Sequence, residues 1–260
     1  MNVDSSDVKL AELLADTADA ITTSRVGSSN LRVERKPDRT PVSDADTAVE
    51  DEVRAVLARE RPDDTVVGEE GGGAITSGRT WVIDPIDGTK AFLRGLPVWA
   101  TLVALLVDGQ PVAGAVSAPA LGRRWWAGLG HGAYVRGFDG ETRQMAVSAV
   151  SQLDDAIVSS SHLGTWPEFH NRDAYLSLVD ACWEDRAYGD FWSHCLVAEG
   201  ALDLAADPIV NAWDVAPLKI VVEEAGGRFT DLTGADTITG GNALSTNSLL
   251  HGRALTLLAR

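Results

Sequence analysis

The sequence predicts a layered α/β fold of the α+β kind, and three features of its patterning carry that prediction. Two helical periodicities come first, strand-like runs joined by hairpin signals follow, and beyond residue 150 strands and helices alternate. By pattern the chain divides into 1–147 and 148–260. No repeat, low-complexity tract or linker separates these parts, so two tightly joined halves are expected, with a small-molecule site in the cleft between them.

Leu10, Leu13, Leu14, Ala18 and Ile21 recur at helical spacing and predict a helix over 6–25. Residues 28–39 are polar and basic, without a periodic signal. Pro41-Val42-Ser43-Asp44 opens a second helix. Ser43 and Asp46 have capping-box spacing, Val49, Val53, Val56 and Leu57 give an apolar face, and Pro62 lies just past the end. Thr65–Gly68 reads as a short strand ending at Glu69-Glu70, and 71–78 as a flexible loop, open to reading as a lid or as a plain disordered connection. Thr80 to Ile83 is an apolar strand that delivers Asp84-Pro85-Ile86-Asp87-Gly88-Thr89 into a turn restricted by Pro85. Segments 99–107 and 111–118 flank Asp108-Gly109 as a hairpin, and 123–128 with 132–136 form a second. Segments 156–160 and 202–205 are strand-like. Segments 174–183, 191–199 and 214–225 are helical, the last closed by Gly226-Gly227.

A net charge of −16, with 45% hydrophobic and 23% charged residues, describes a globular chain with ample core material and an acidic surface. Such a surface repels nucleic acid and anionic membranes, so neither is an expected partner. A small phosphate ester remains open, because a bound divalent cation inverts the local sign. No segment has the length of a membrane span, and the first residues lack the basic start and apolar core of a signal peptide. A cytoplasmic location is the default expectation. Cys182 and Cys195 have no disulfide-framework or metal spacing and read as reduced core residues. The five histidines show no paired zinc spacing, and His194 reads as a hydrogen-bonded helix residue. Of Trp125 and Trp126, one ring is expected in the core and the other on the opposite face of a sheet.

Four separated places put acids at element ends: Asp44 and Asp46, Glu69 and Glu70, Asp84 and Asp87, and Asp214. A lone acid at a helix start is ordinarily a cap, and Glu69-Glu70 alone could be a solvated loop. Asp84 and Asp87 differ, since an apolar strand delivers both into Gly88-Thr89. Gly88 lets a ligand approach the backbone, and Thr89 offers a hydroxyl and an N–H. Carboxylates beside backbone donors suit a hard cation that in turn holds a phosphate. These residues predict a Mg²⁺-dependent phosphate-ester hydrolase.

Three blocks in order resemble the inositol monophosphatase superfamily of metal-dependent, lithium-sensitive phosphatases. They are Val67-Gly68-Glu69-Glu70, Trp81 through Thr89, and Trp213-Asp214-Val215-Ala216-Pro217 with Glu224-Ala225-Gly226-Gly227. The resemblance implies an αβαβα five-layer sandwich. It implies two or three Mg²⁺ ions per site, held by Glu69, Asp84, Asp87, Asp214 and the Ile86 carbonyl, with Asp44 at a further, weaker ion. Asp46 with Thr89, together with Glu69, would orient and activate the attacking water, and Asp87, Gly88 and Thr89 would receive the phosphate. Lys90 and Ala91 depart from the common Gly-Thr-Thr-Asn ending. The resemblance also implies a homodimer.

Within that superfamily the chain is most similar to histidinol-phosphate phosphatases of the inositol-monophosphatase type. Lys36 through Asp46, Arg123-Arg124-Trp125-Trp126, and Tyr188-Gly189-Asp190-Phe191 running into Cys195 through Gly200 carry this nearer match. It implies hydrolysis of L-histidinol phosphate in histidine biosynthesis. A ligand with an ammonium and an imidazole calls for carboxylates across the cleft from the metals. Asp190, Asp207, Arg186 and Asn211 are the candidate substrate contacts, and Glu199 reads as structural. The alternatives are another phosphatase of the superfamily, acting on inositol phosphate, fructose bisphosphate or a nucleotide phosphate, and an inactive metal- or phosphate-binding protein. The last would have lost acids, and here every one is present.

Overall fold

The computed structural model describes residues 5–37 and 40–259, so Asp38 and Arg39 of the Lys36–Asp46 motif lie outside the described residues. The chain begins with α1 (Ser5–Arg25), β1 (Val33–Arg35), β2 (Pro41–Ser43), α2 (Asp44–Glu60), β3 (Thr65–Gly68), β4 (Arg79–Asp87) and the short α3 (Thr89–Leu93). An antiparallel meander follows: β5 (Ala100–Val107), β6 (Gln110–Ala118), β7 (Arg123–Gly128), β8 (Gly132–Arg136) and β9 (Thr142–Gln144). Next come β10 (Ile157–Ser159), α4 (Trp166–Phe169), α5 (Arg172–Ala181), β11 (Glu184–Asp185), α6 (Asp190–Ala198), β12 (Leu204–Asp207) and α7 (Ala212–Glu224). The chain closes with β13 (Arg228–Thr230), β14 (Ala243–Thr246) and α8 (His251–Leu258).

These elements stack in five layers. A seven-stranded sheet runs in the order β3-β4-β5-β6-β7-β8-β9, and a five-stranded sheet in the order β11-β10-β12-β14-β13. Helices α1 and α2 cover the outer face of the larger sheet with Leu10, Leu14, Val49, Val53 and Leu57 packed on Trp81, Ile83 and Leu105. Leu13, placed in the apolar face by its spacing, is 47% exposed. Helices α6 and α7 lie between the sheets, where Phe191, Val215, Leu218 and Val222 meet Val82, Leu102, Val116 and Trp125. Gly114 of β6 allows α7 its close approach, since a Cβ there would stand 3.0 Å from the Pro217 Cα. Helices α5 and α8 close the far side through Tyr175, Leu178, Ala254 and Leu258.

Trp125 is buried between the sheets, and Trp126 packs on the opposite face against Tyr134, as the alternation requires. The Trp125 indole donates to Glu199 (2.8 Å), and Arg123 (2.5 Å) and Arg143 (2.6 Å) also donate to that carboxylate, so Glu199 is structural. Cys182 and Cys195 are both free thiols. Among the described residues, no helix is long and apolar enough to cross a membrane.

The differences from the sequence reading fall on short elements. β1 and β9 are three-residue strands, exposed throughout, and carry no alternation to detect. The Asp84–Asp87 motif is not a turn beyond a strand end. β4 continues through it, with one extra residue between Asp84 and Asp87. Residues 71–78 are not free along their length. Gly68 and Gly72 exchange backbone hydrogen bonds (3.1 and 3.0 Å), and Arg54 donates to the Gly72 carbonyl (3.0 Å).

His251 is buried and bonded through both ring nitrogens, to Thr230 and Thr246 hydroxyls at 3.0 Å each. Burial, aided by Arg228, pushes its imidazole down from 6.5 to about 4. The unfolded chain therefore takes up this proton first, and stability present above pH 6.5 is lost as the pH falls toward 4. Urea unfolding of the wild type and of His251→Asn across that window checks this. The gap between the two should shrink on acidification, and parallel curves would refute it.

Candidate active site

The site begins with the irregularity in β4. Along a regular strand, Asp84 and Asp87 would point to opposite faces. Asp84 pairs with Leu102 and Asp87 with Ala100, so three steps on β4 match two on β5. This bulge turns both carboxylates into one cleft. Pro85 is tolerated because a bulge asks for no ladder donor, and its carbonyl accepts from the Thr101 hydroxyl (2.7 Å). Asp84 accepts from the Ile86 N–H (3.0 Å), and the Ile86 carbonyl accepts from the Thr89 hydroxyl (2.9 Å).

Glu69 follows β3, parallel to β4, and its N–H donates to the Ile83 carbonyl (3.1 Å). A clamp from α2 fixes this corner. The buried Glu50 accepts from Glu70 N–H and Gly71 N–H (2.8 Å each) and from Arg54 (2.8 Å). Gly68 is required there, because a Cβ would lie 2.2 Å from the Glu50 carboxylate. Asp214 enters from the first turn of α7, where it accepts from the Asn211 N–H (2.7 Å).

The Asp84 carboxyl is in hydrogen-bond contact with both Glu69 and Asp214. Burial, then Glu69, Asp87 and Asp214, raises Asp84 well above the ordinary carboxyl range. Burial, then Asp190 and Asp214, does the same to Asp87, and burial with Glu69 pushes Asp214 up to about 7. Lys36 sets a cation against this cluster, its ammonium 2.6 Å from Glu69 and 2.7 Å from Glu70. Burial opposes that charge, but the two carboxylates keep Lys36 protonated well above its usual range. With the carboxyls drawn onto each other and onto Lys36, no three acid, histidine or cysteine side chains among the described residues stand in ligand geometry about one point.

Asp46 and Thr89 meet, with the Thr89 hydroxyl 3.4 Å from one Asp46 oxygen. The other oxygen accepts from the Ser43 N–H (2.8 Å) and hydroxyl (2.5 Å), completing the capping box of α2. Gly88, at φ +78°, faces the Val98 carbonyl so closely that a Cβ would stand 2.7 Å from it. Asp44 does not reach the cleft. It turns into ion pairs with Arg25 (3.3 Å) and Arg32 (3.5 Å) in a separate surface hollow.

The cleft of about 330 Å³ that holds Glu69, Asp84, Asp87, Thr89 and Asp214 is also lined by Lys90, Asp190 and Asn211. It adjoins a chamber of about 440 Å³ between α3 and the second half, lined by Lys90, Arg94, Ser161, His162, Asp190 and Asp207. The Phe191 N–H donates to Asp87 (2.8 Å), which ties α6 to the bulge. Burial and Asp207 push the Asp190 carboxyl up to about 6, against Lys90 and His162. Arg186 is exposed, pairs with Glu184 and stands outside the lining of both the cleft and the chamber. The residues not read as functional from sequence are Lys36, Glu50, Ser161 and His194. Lys36 stood in the nearer-match motif and His194 read as a hydrogen-bonded helix residue, neither with a role at the site, and Glu50 left a signal in its i,i+4 pairing with Arg54.

Buried like charges in contact oppose folding, so activity and stability pull apart here. In chelator at pH 8, Asp84→Asn should raise the melting temperature by about 3 °C, the shift that roughly 1 kcal/mol produces at this size. Calorimetry showing a lower melting point would sink the repulsion argument.

A family model described as the inositol monophosphatase family matches residues 4–260. A protein of Mycobacterium tuberculosis named histidinol-phosphatase is 54% identical over 97% of each chain. One of Streptomyces coelicolor with the same name is 51% identical over 96% of this chain and 95% of its own. The solved structure of an inositol monophosphatase from Zymomonas mobilis superposes with a TM-score of 0.85 at 28% identity over the full length of both chains. With the layered architecture and the converging acids, these matches lead to one conclusion: the chain belongs to the inositol monophosphatase family.

Proposed function

We propose that this chain is a Mg²⁺-dependent phosphomonoesterase that converts L-histidinol phosphate to L-histidinol and phosphate. The observation that carries the phosphatase chemistry is the contact of Asp84 with Glu69 and Asp214, three acids from distant parts of the chain. Their donor set is all hard oxygen, which fits Mg²⁺, and Lys36 already holds positive charge against Glu69. When bound, Mg²⁺ would neutralise this cluster and act as a Lewis acid toward water and the leaving oxygen.

The remaining chemistry belongs to the chain. Glu69, Asp84, Asp87, Asp214 and the Ile86 carbonyl would hold the ions. The Thr89 hydroxyl, between the Ile86 carbonyl and Asp46, would accept from the attacking water as Asp46 draws its proton. The N–H groups of Gly88 and Thr89, at the open end of α3, would receive phosphate oxygens. Asp190 would meet the cationic end of the substrate in the adjoining chamber. Support for the histidinol moiety comes from relatives above 50% identity over nearly the whole chain. Cytoplasmic action in histidine biosynthesis and homodimeric assembly belong to the same reading and rest on the resemblance.

Steady-state kinetics with histidinol phosphate, inositol 1-phosphate and fructose 1,6-bisphosphate test the substrate. Histidinol phosphate should have the highest kcat/KM, and a higher value for inositol 1-phosphate would refute the assignment. Turnover should vanish in EDTA and return with Mg²⁺. Asp84→Asn should lower it by about 10³-fold or more, the scale of a lost transition-state contact. Asp190→Ala should reduce kcat/KM for histidinol phosphate relative to a phosphate ester without a cationic group by about 10–100-fold, the worth of a hydrogen bond to a charged group. Equal losses on both esters would remove Asp190 from recognition.

A further inference from the structure

We propose that His194 is a positioning residue for substrate selection: it fixes Asp207, Asp207 fixes Ser161, and Ser161 sets Asp190 at the chamber wall. This inference rests on the reading that Asp190 meets the cationic end of the substrate.

Asp190 needs such support. It is a non-glycine residue at φ +45°, at the first position of α6 and directly after Gly189 at φ +89°. A left-handed aspartate persists only where its surroundings hold it. Here its N–H donates to the Ser161 hydroxyl oxygen at 2.7 Å. That contact directs the Asp190 carboxylate across the cleft toward Gly88, where a Cβ would lie 3.3 Å from it. Ser161 is fixed in turn, since its N–H donates to Asp207 at 2.7 Å.

Asp207 lines the chamber, and the sequence placed it among the substrate contacts. Its oxygens are already occupied. One accepts from the Ser161 N–H and the Ser160 hydroxyl (3.3 Å), and the other meets His194 Nε2 at 3.0 Å. A carboxylate only accepts, which sets the His194 tautomer. Nε2 carries a proton toward Asp207, and Nδ1 meets the Ser245 hydroxyl at 2.7 Å. Ser160 is held by the Trp166 indole at 3.0 Å. His194 itself is 1% exposed, on the buried side of α6. The chain of contacts therefore starts in the smaller sheet, at Ser245 of β14, crosses α6, and ends on the Asp190 carboxylate at the chamber wall.

A core histidine with no such role would affect folding alone. The discriminating experiment compares the full-length Mg²⁺-loaded enzyme with His194→Gln, which keeps an N–H donor for Asp207, and His194→Met, which does not. The readouts are kcat and KM for histidinol phosphate and for β-glycerophosphate, and a crystal structure of each variant. His194→Met should lower the histidinol phosphate to β-glycerophosphate ratio of kcat/KM by about tenfold, mainly through KM, the effect of one misplaced charged hydrogen bond. Its crystal structure should show Asp190 out of the left-handed region, with the Ser161 contact broken. His194→Gln should stay within about threefold of the wild type. A folded His194→Met enzyme with an unchanged ratio and Asp190 in place overturns the proposal. If His194→Met fails to fold, Ser161→Ala removes the acceptor of the Asp190 N–H and carries the same expectation and the same refutation. A wild type without preference for histidinol phosphate would refute the substrate reading instead, and the position of Asp190 in the variants would then decide the relay.

Discussion

Asp84 touches both Glu69 and Asp214 in a partly buried cleft, although the three come from the middle of β4, the end of β3 and the first turn of α7. Three like-charged groups in contact repel, so the surrounding fold must over-determine each of them. It does so with separate devices. The Glu50–Arg54 clamp sets the backbone at Glu69 and Glu70, the β4 bulge turns Asp84 and Asp87 to one side, and the Asn211 N–H fixes Asp214. Stability comes from elsewhere, chiefly the apolar layers on both faces of the larger sheet. The site is a place where local cost is carried by a global core.

That division explains what could be read from the sequence. Long periodic elements were legible, because burial of one face writes a period into the chain. Thus α1, α2, α7 and the β5–β6 hairpin stand where their patterns place them. Each acid was legible as the end of a patterned element, and the family resemblance alone joined them into a set. What stayed hidden depends on contacts between remote segments. Nothing local to Lys36 announces that it reaches Glu69 and Glu70, and nothing local to His194 announces Asp207 and Ser245. Asp44 shows the opposite failure. Its position at a helix start beside Asp46 suits a ligand, but neighbouring Arg25 and Arg32 draw it outward. The bulge in β4 was hidden because Asp-Pro-Ile-Asp also reads as a turn. Only the pairing of β4 with β5 distinguishes the two.

The arrangement of helix ends resolves a further difficulty, how so acidic a chain accommodates a phosphate ester. Asp46 and Asp214 occupy the same place, the third residue of α2 and of α7, and each uses one oxygen to accept the N–H of the capping residue. Capping engages one oxygen and leaves the other outside the capping contact; for Asp46 that second oxygen faces Thr89. Thr89 begins α3 and Asp190 begins α6, and both line the same cleft as Asp214. Four helix N-termini therefore meet at the acids. Each presents the positive end of a dipole, worth about 0.3–1 kcal/mol per nearby anion. These fixed partial charges offset part of the repulsion within the cluster, and they need no mobile cation to do so. Asp46 and Asp214 stand beside the cleft for the same reason that they cap helices, because a helix start is where a carboxylate is both structurally wanted and electrostatically tolerated.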